Sequence, residues 1–143
     1  MSRQNYMKVS FDARSENESF ARMAAAGFAM QLNPTVEELE DIRTAVSEAV
    51  TNAIIHGYED ETKQVVMECV IDGDCLTLRV RDQGVGIENV EQAMQPFYTT
   101  KPEQERSGMG FAFMEAFMDE IRVTSEPGKG TQVTMIKQVE GGE

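Results

Sequence analysis

Thr35-Val-Glu-Glu-Leu-Glu-Asp-Ile-Arg-Thr-Ala-Val-Ser-Glu48-Ala-Val-Thr-Asn52-Ala-Ile-Ile-His56-Gly57 is the stretch on which the fold turns. Its apolar residues Val36, Leu39, Ile42, Val46, Val50 and Ala53 recur close to the 3.6-residue period of an amphipathic helix. Thr35 and Glu38 form a capping box at the start, and Gly57 stops the helix. Glu48 and Asn52 stand four apart, so they project from one face, off the apolar line. Asn is a mediocre helix former, and its amide oxygen is a hard donor suited to Mg²⁺. A carboxylate one turn back can accept a proton from an attacking hydroxyl. Taken alone, the pair reads more simply as a polar helix face.

Working outward, Met7, Val9 and Phe11 alternate with Lys8 and Ser10, the period of a half-buried strand. Ser15 and Glu18 read as a second capping box, opening a helix to about Leu32 with Phe20, Met23, Ala24, Phe28 and Leu32 inward. Asn33-Pro34 ends it. Beyond Gly57, strands 64–71 and 75–81 meet at Asp72-Gly73-Asp74, a tight hairpin turn. A short helical turn is expected near Glu88–Met94. The stretch from Gln95 to Arg106 is long and irregular, which marks a functional or disordered loop. A helix from Gly108 to Glu120 and strands 121–125 and 131–139 close the chain. The order β-α-α-β-β-(loop, helix)-β-β predicts an α+β two-layer sandwich, helices on one face of a mixed, mostly antiparallel sheet.

With 143 residues, 41% of them hydrophobic and 27% charged, the chain is expected to form a single globular domain over 1–143. No apolar run approaches the ~18 residues of a membrane span. Met1-Ser-Arg-Gln-Asn5 leads into no signal-peptide core, so a cytoplasmic location is expected. Cys69 and Cys75 fit neither a disulfide framework nor a metal site and are expected reduced. A formal net charge of −12 argues against nucleic acid as a partner and favours a basic one. Any phosphate site must then be locally positive, which points to Lys101 and Arg106 beside a helix start.

Two further segments bear on chemistry. Asp82-Gln-Gly84-Val-Gly86 directly follows a strand. A carboxylate there can accept a hydrogen bond from an exocyclic amine, while the glycines let backbone approach a flat ring. Ser107-Gly108-Met109-Gly110-Phe111 opens a helix whose free amides can hold phosphate. Each reads equally as an ordinary turn or loop. Their conjunction with Glu48 and Asn52, in a chain lacking GxxxxGK[ST] and any GxGxxG after a strand, points to a nucleotide, its metal ion and its terminal phosphate.

These segments resemble the N box and the two glycine boxes of the GHKL ATPase and kinase superfamily. Pro96-Phe-Tyr-Thr99-Thr-Lys101 is similar to the entry of that fold's ATP lid, and Gly130-Thr131 to its last adenine-site element. More narrowly, Arg14-Ser-Glu-Asn-Glu18-Ser-Phe-Ala-Arg22, Ser47–Tyr58 and Thr99–Phe111 resemble the anti-sigma F factor family of spore-forming bacteria, over nearly the whole chain. The resemblance implies a dimeric serine protein kinase that holds sigma factor F inactive and phosphorylates an anti-anti-sigma factor with Mg-ATP. By motif position, Glu48 would be the general base and Asn52 the Mg²⁺ ligand. Asp82, Gly84, Gly86 and Thr131 would hold adenine. Thr99, Lys101, Arg106, Ser107, Gly108, Met109, Gly110 and Phe111 would meet the phosphates of ATP or ADP. Arg14, Glu18 and Arg22, spaced i, i+4, i+8, read as an exposed ridge that is either a solvated face or a partner surface. His56 sits where a cation suits the helix dipole and is no phosphoacceptor. A stress-response anti-sigma kinase for another sigma factor, and a nucleotide-gated sigma-binding module with little kinase activity, stand as alternatives.

Overall fold

The computed structural model describes residues 4–57, 63–84, 90, 94 and 110–141. Strand β1 (Gln4–Asp12) leads into helix α1 (Glu16–Ala29), which tightens into a 3₁₀ turn at Met30–Leu32. Helix α2 (Val36–Asn52) continues through a π-helical turn, Ala53–Gly57. Strands β2 (Gln64–Asp72) and β3 (Cys75–Asp82), helix α3 (Gly110–Phe117) and strands β4 (Glu120–Glu126) and β5 (Gly130–Gln138) follow. The strands form one five-stranded sheet in the order β1-β2-β3-β5-β4. Every ladder among the described residues is antiparallel, and the expected two-layer α+β architecture holds. Among the described residues, no helix is long and apolar enough to cross a membrane.

Local chemistry explains the joints. Asn33 takes the left-handed conformation (φ 52°) that ends the 3₁₀ turn, as Asn tolerates. The Thr35 box then forms as read. Thr35 Oγ1 accepts the Glu38 amide at 3.1 Å, and Glu38 Oε1 accepts the Thr35 amide at 2.9 Å. Gly73, at the first position of a two-residue loop, has φ +64°, as a primed hairpin turn requires. The turn expected near Glu88–Met94 lies mostly outside the described residues. Within them, the Met94 amide donates to the Val90 carbonyl at 3.0 Å. Gly108 and Met109, at the expected start of the last helix, also lie outside.

The Ser15 capping box is not formed. Ser15 is already helical (φ −57°, ψ −33°) and makes no side-chain cap bond, because Glu18 turns away from it toward Ser47 of α2. The buried face of α1 also differs from its expected one. Ala21, Ala25, Phe28 and Ala29 are buried, whereas Phe20 is 51% and Met23 68% exposed. The cause is the partner helix. α1 packs along α2, which buries Ala45 and Ala49, and small residues on both helices allow a close approach that leaves the larger side chains outside. On α2, Ile42, Val46, Val50 and Ala53 are buried as read, but Val36 is 81% exposed.

The core lies between the helices and the inner sheet face, where Met67, Cys69, Ile71, Leu76, Leu78 and Met135 meet Met114 of α3. Burial pushes the Cys69 thiol up to about 12, so it stays an inert thiol, and both cysteines are free. Lys137 spans two layers. Its Nζ donates to the Phe117 carbonyl at the end of α3 at 2.9 Å and faces Asp41 of α2 at 3.8 Å.

Glu38 also accepts the amides of Glu140 and Gly141 at 2.8 and 3.0 Å. Burial acts to raise its pKa, but the amides of Thr35, Glu140 and Gly141 and the Thr35 hydroxyl outweigh it, leaving the carboxyl below its ordinary value. Its contribution is therefore complete above the unfolded-state pKa and is lost as pH falls through the lower folded-state value. Urea unfolding should show Thr35→Ala less stable by about 1 kcal/mol. Glu38→Gln should flatten the stability loss below the ordinary carboxyl value of 4.5; an unchanged acid limb would remove Glu38 from that role.

Candidate nucleotide site

Asp82 ends β3 and is 8% exposed. Its Oδ1 accepts the Gly84 amide at 2.9 Å, and the Thr131 amide also bonds to the carboxylate. Burial raises its pKa, and these two amides pull it part of the way back. The result is a carboxylate fixed at a strand end beside Thr131, its register partner on β5. Ser125 completes the corner, its hydroxyl 3.0 Å from the Gly130 carbonyl and 2.8 Å from Thr131 Oγ1.

Gly130 makes this corner possible. It has φ +103°, and a Cβ built there would stand 2.1 Å from the Asp82 carbonyl oxygen and 2.7 Å from Gln83 Cα. No side chain fits, so the start of β5 lies directly against the backbone that carries Asp82. Asp82, Gly84 and Thr131 are thereby brought together. Gly86, Thr99, Lys101, Arg106, Ser107, Gly108 and Met109 lie outside the described residues.

Glu48 and Asn52 are half-buried on the last two turns of α2. The π-helical turn that follows packs against both β3 and β5, and α3 packs along α2. The π-helical end of α2 therefore packs on the two strands that supply Asp82 and Thr131, and Gly110 and half-buried Phe111 begin α3, which packs along α2. Of His56, only the backbone is among the described positions. The ridge expected of Arg14, Glu18 and Arg22 is divided. Arg14 precedes α1 and faces Glu16 at 3.9 Å, whereas Glu18 is directed at Ser47 and pairs with Arg22 at 3.6 Å. Ser47 and Ser125 were not singled out from sequence. The usable signal at Ser47 is a hydroxyl beside the apolar line of α2.

The residues present fit a magnesium nucleotide. Asn52 offers a neutral amide oxygen, and phosphate oxygens and water commonly complete a Mg²⁺ shell, while Glu48, one turn away, stays available as a carboxylate base. An α3 N-terminus offers amides of the polarity that phosphate needs.

A helical layer on an antiparallel sheet, with an acidic strand end closed by a glycine, defines a histidine kinase-like ATPase domain. That family matches residues 11–137, and the chain belongs to it. Within it, the chain is 57% identical over 135 residues to the anti-sigma F factor of Clostridium acetobutylicum, covering 94% of each. It is 58% identical over 136 residues to that of Clostridium perfringens, covering 94% of this chain and 97% of the relative. The chain is thus a member of the anti-sigma F factor family, as its motifs suggested. The RsbU and RsbW domains of Rv1364c from Mycobacterium tuberculosis share the fold, with a TM-score of 0.68 at 20% identity over 94% of this chain and 32% of that one.

Gly130→Ala combines positive-φ strain with backbone overlap. Thermal unfolding should show a loss of about 3 kcal/mol or more, together with weakened nucleotide binding. A variant with wild-type stability would contradict the packing of β5 on Asp82.

Proposed function

We infer that this chain is a cytoplasmic anti-sigma factor and serine protein kinase. In this reading it binds and inhibits the sporulation sigma factor F, and it phosphorylates an anti-anti-sigma factor on serine with Mg-ATP, acting as a homodimer. The observation that carries the reading is the seating of Glu48 and Asn52 on the end of α2, over the strands that hold Asp82 and Thr131. The names of relatives at 55% identity and above support the sigma factor as partner.

The chemistry follows from residue types. Asp82 accepts the adenine amine, with Gly84, Gly86 and Thr131 lining the ring. The amides from Gly108 to Phe111, with Ser107, Thr99, Lys101 and Arg106, meet the phosphates. Asn52 would hold Mg²⁺ through its amide oxygen, and the ion would draw negative charge from the phosphates. Glu48 accepts the proton of the substrate serine as its oxygen attacks the γ-phosphorus. The bond from that phosphorus to the β-bridging oxygen breaks, and ADP leaves. Lys101 and Arg106 would supply the local positive charge that a chain of net charge −12 needs for an anionic ligand.

The outer face of α1 supports a protein partner. Phe20, Met23 and Met30 are large apolar side chains left exposed, and Arg22 of the same helix keeps part of its side chain open to solvent. Aromatic and arginine side chains are the usual anchors of protein interfaces.

With Mg-ATP and a purified anti-anti-sigma factor, phosphoserine formation should fall about 10²- to 10⁴-fold in Glu48→Gln, with nucleotide affinity retained. Asn52→Ala should weaken Mg²⁺-dependent nucleotide binding. Label transfer undiminished in Glu48→Gln would remove it as the base; no transfer by wild type, with sigma binding intact, would favour the nucleotide-gated binding module. For adenine recognition, Asp82 must be ionised. Affinity should therefore decline as pH falls toward its raised pKa, and Asp82→Asn should bind weakly without that decline.

A further inference from the structure

Three side chains connect the outer face of α1 to the helix that carries Glu48 and Asn52. Ser47 is buried on α2, and its hydroxyl donates to Glu18 Oε1 across the helix pair. The same oxygen faces Arg22 Nη1 at 3.6 Å, one turn further along α1. The Arg22 Nη2 group donates to Ser19 Oγ at 3.3 Å. The guanidinium is therefore met at both terminal nitrogens by residues one turn back on its own helix, with Glu18 anchored from α2. Its Nε is enclosed and has no acceptor among the described residues.

Each contact has a physical consequence. An arginine on a helix surface ordinarily samples many rotamers, and a partner that binds it must immobilise them. Here the Glu18 carboxylate, itself only 18% exposed, reduces that freedom in advance, while Arg22 keeps 34% of its side chain open to solvent. The Ser47 hydroxyl matters because a bare i, i+4 ion pair is weak and exchanges readily. A carboxylate fixed by a buried hydroxyl does not wander.

We propose that Glu18, anchored on Ser47, is a positioning residue of the partner surface: it holds the Arg22 guanidinium ready for an acidic group on the protein that docks against α1. A carboxylate is the chemistry a planar five-donor fork recognises best. The proposal rests on the reading of α1 as a partner face. It also runs through α2, so a shift of that helix on nucleotide binding would reach Arg22 through one hydroxyl.

A double-mutant cycle tests it, with purified sigma factor F as the probe, ATP and Mg²⁺ present, and affinity measured by titration. Arg22→Ala should weaken binding on the order of 100-fold. Ser47→Ala should weaken it roughly 3- to 10-fold in the wild-type background and have no effect when Arg22 is already alanine. Glu18→Gln retains an acceptor for the Ser47 hydroxyl but loses the charge that faces Arg22, so it should bind as poorly as Glu18→Ala. A merely structural tie would be rescued by Gln. Should Ser47→Ala not fold, the cycle of Glu18→Gln with Arg22→Ala carries the same comparison. Additive losses, or full affinity in Glu18→Gln, overturn the positioning role while leaving the partner face intact. Unchanged affinity in Arg22→Ala removes the face itself, and the proposal with it.

Discussion

Helix α2 is packed on several sides at once: α1 lies along it, α3 lies along it, and its π-helical extension rests on β3 and β5. Ile42, Ala45, Val46 and Val50 are each fully enclosed as a result. A helix so enclosed has one permitted rotation about its axis. That rotation decides which way Glu48 and Asn52 point, which side chain meets Glu18, and how far the glycine corner at Asp82 stands from the helix end. The capping box at Thr35 fixes where the helix begins, so it sets register as well as stability. Core packing and site geometry are here one constraint, and a cavity left by trimming Ile42 would be felt at the polar residues as well as in the core.

The same logic explains where polar groups are tolerated inside. Lys137 is buried because it has somewhere to put its charge, at the carbonyl end of α3 and beside Asp41. A cation at a helix C-terminus is favoured by the aligned peptide dipoles. It also ties the C-terminal end of α3 to the sheet. Asp82 is the complementary case. It keeps a buried carboxylate by borrowing two backbone amides, those of Gly84 and Thr131.

Much of this was legible in the sequence because local rules and tertiary packing agreed. The period of α2, its Thr35 box, the Gly73 turn and the alternation in β3 all describe the residues' own backbone preferences, and packing left them in place. The two misreadings on α1 share one cause. Ser15-x-x-Glu18 has the letters of a cap, yet Glu18 found a better partner on another helix, and a local motif carries no record of that. Phe20 and Met23 were read inward by hydrophobicity alone. The ladder Ala21, Ala25, Ala29 is the signal that says two helices approach closely, and closeness turns bulky neighbours outward. In the site, residue types and spacing singled out Asp82 and Gly84, while Thr131 was named only through the resemblance to the ATPase family. The requirement for glycine at 130 rests on a clash with backbone far away in sequence, which only the folded chain reveals.

The described methionines of this chain include two contrasting environments, and the contrast bears on oxidative chemistry. Met67, Met114 and Met135 are sealed in the core, whereas Met23 and Met30 stand open on the outer side of α1. A peroxide reaches the exposed thioethers first. Conversion to the sulfoxide replaces an apolar, flexible group with a polar one without touching the packed interior. Among the described methionines, oxidation therefore begins on the surface where α1 has left its large side chains bare, and the fold outlasts the chemistry of that surface.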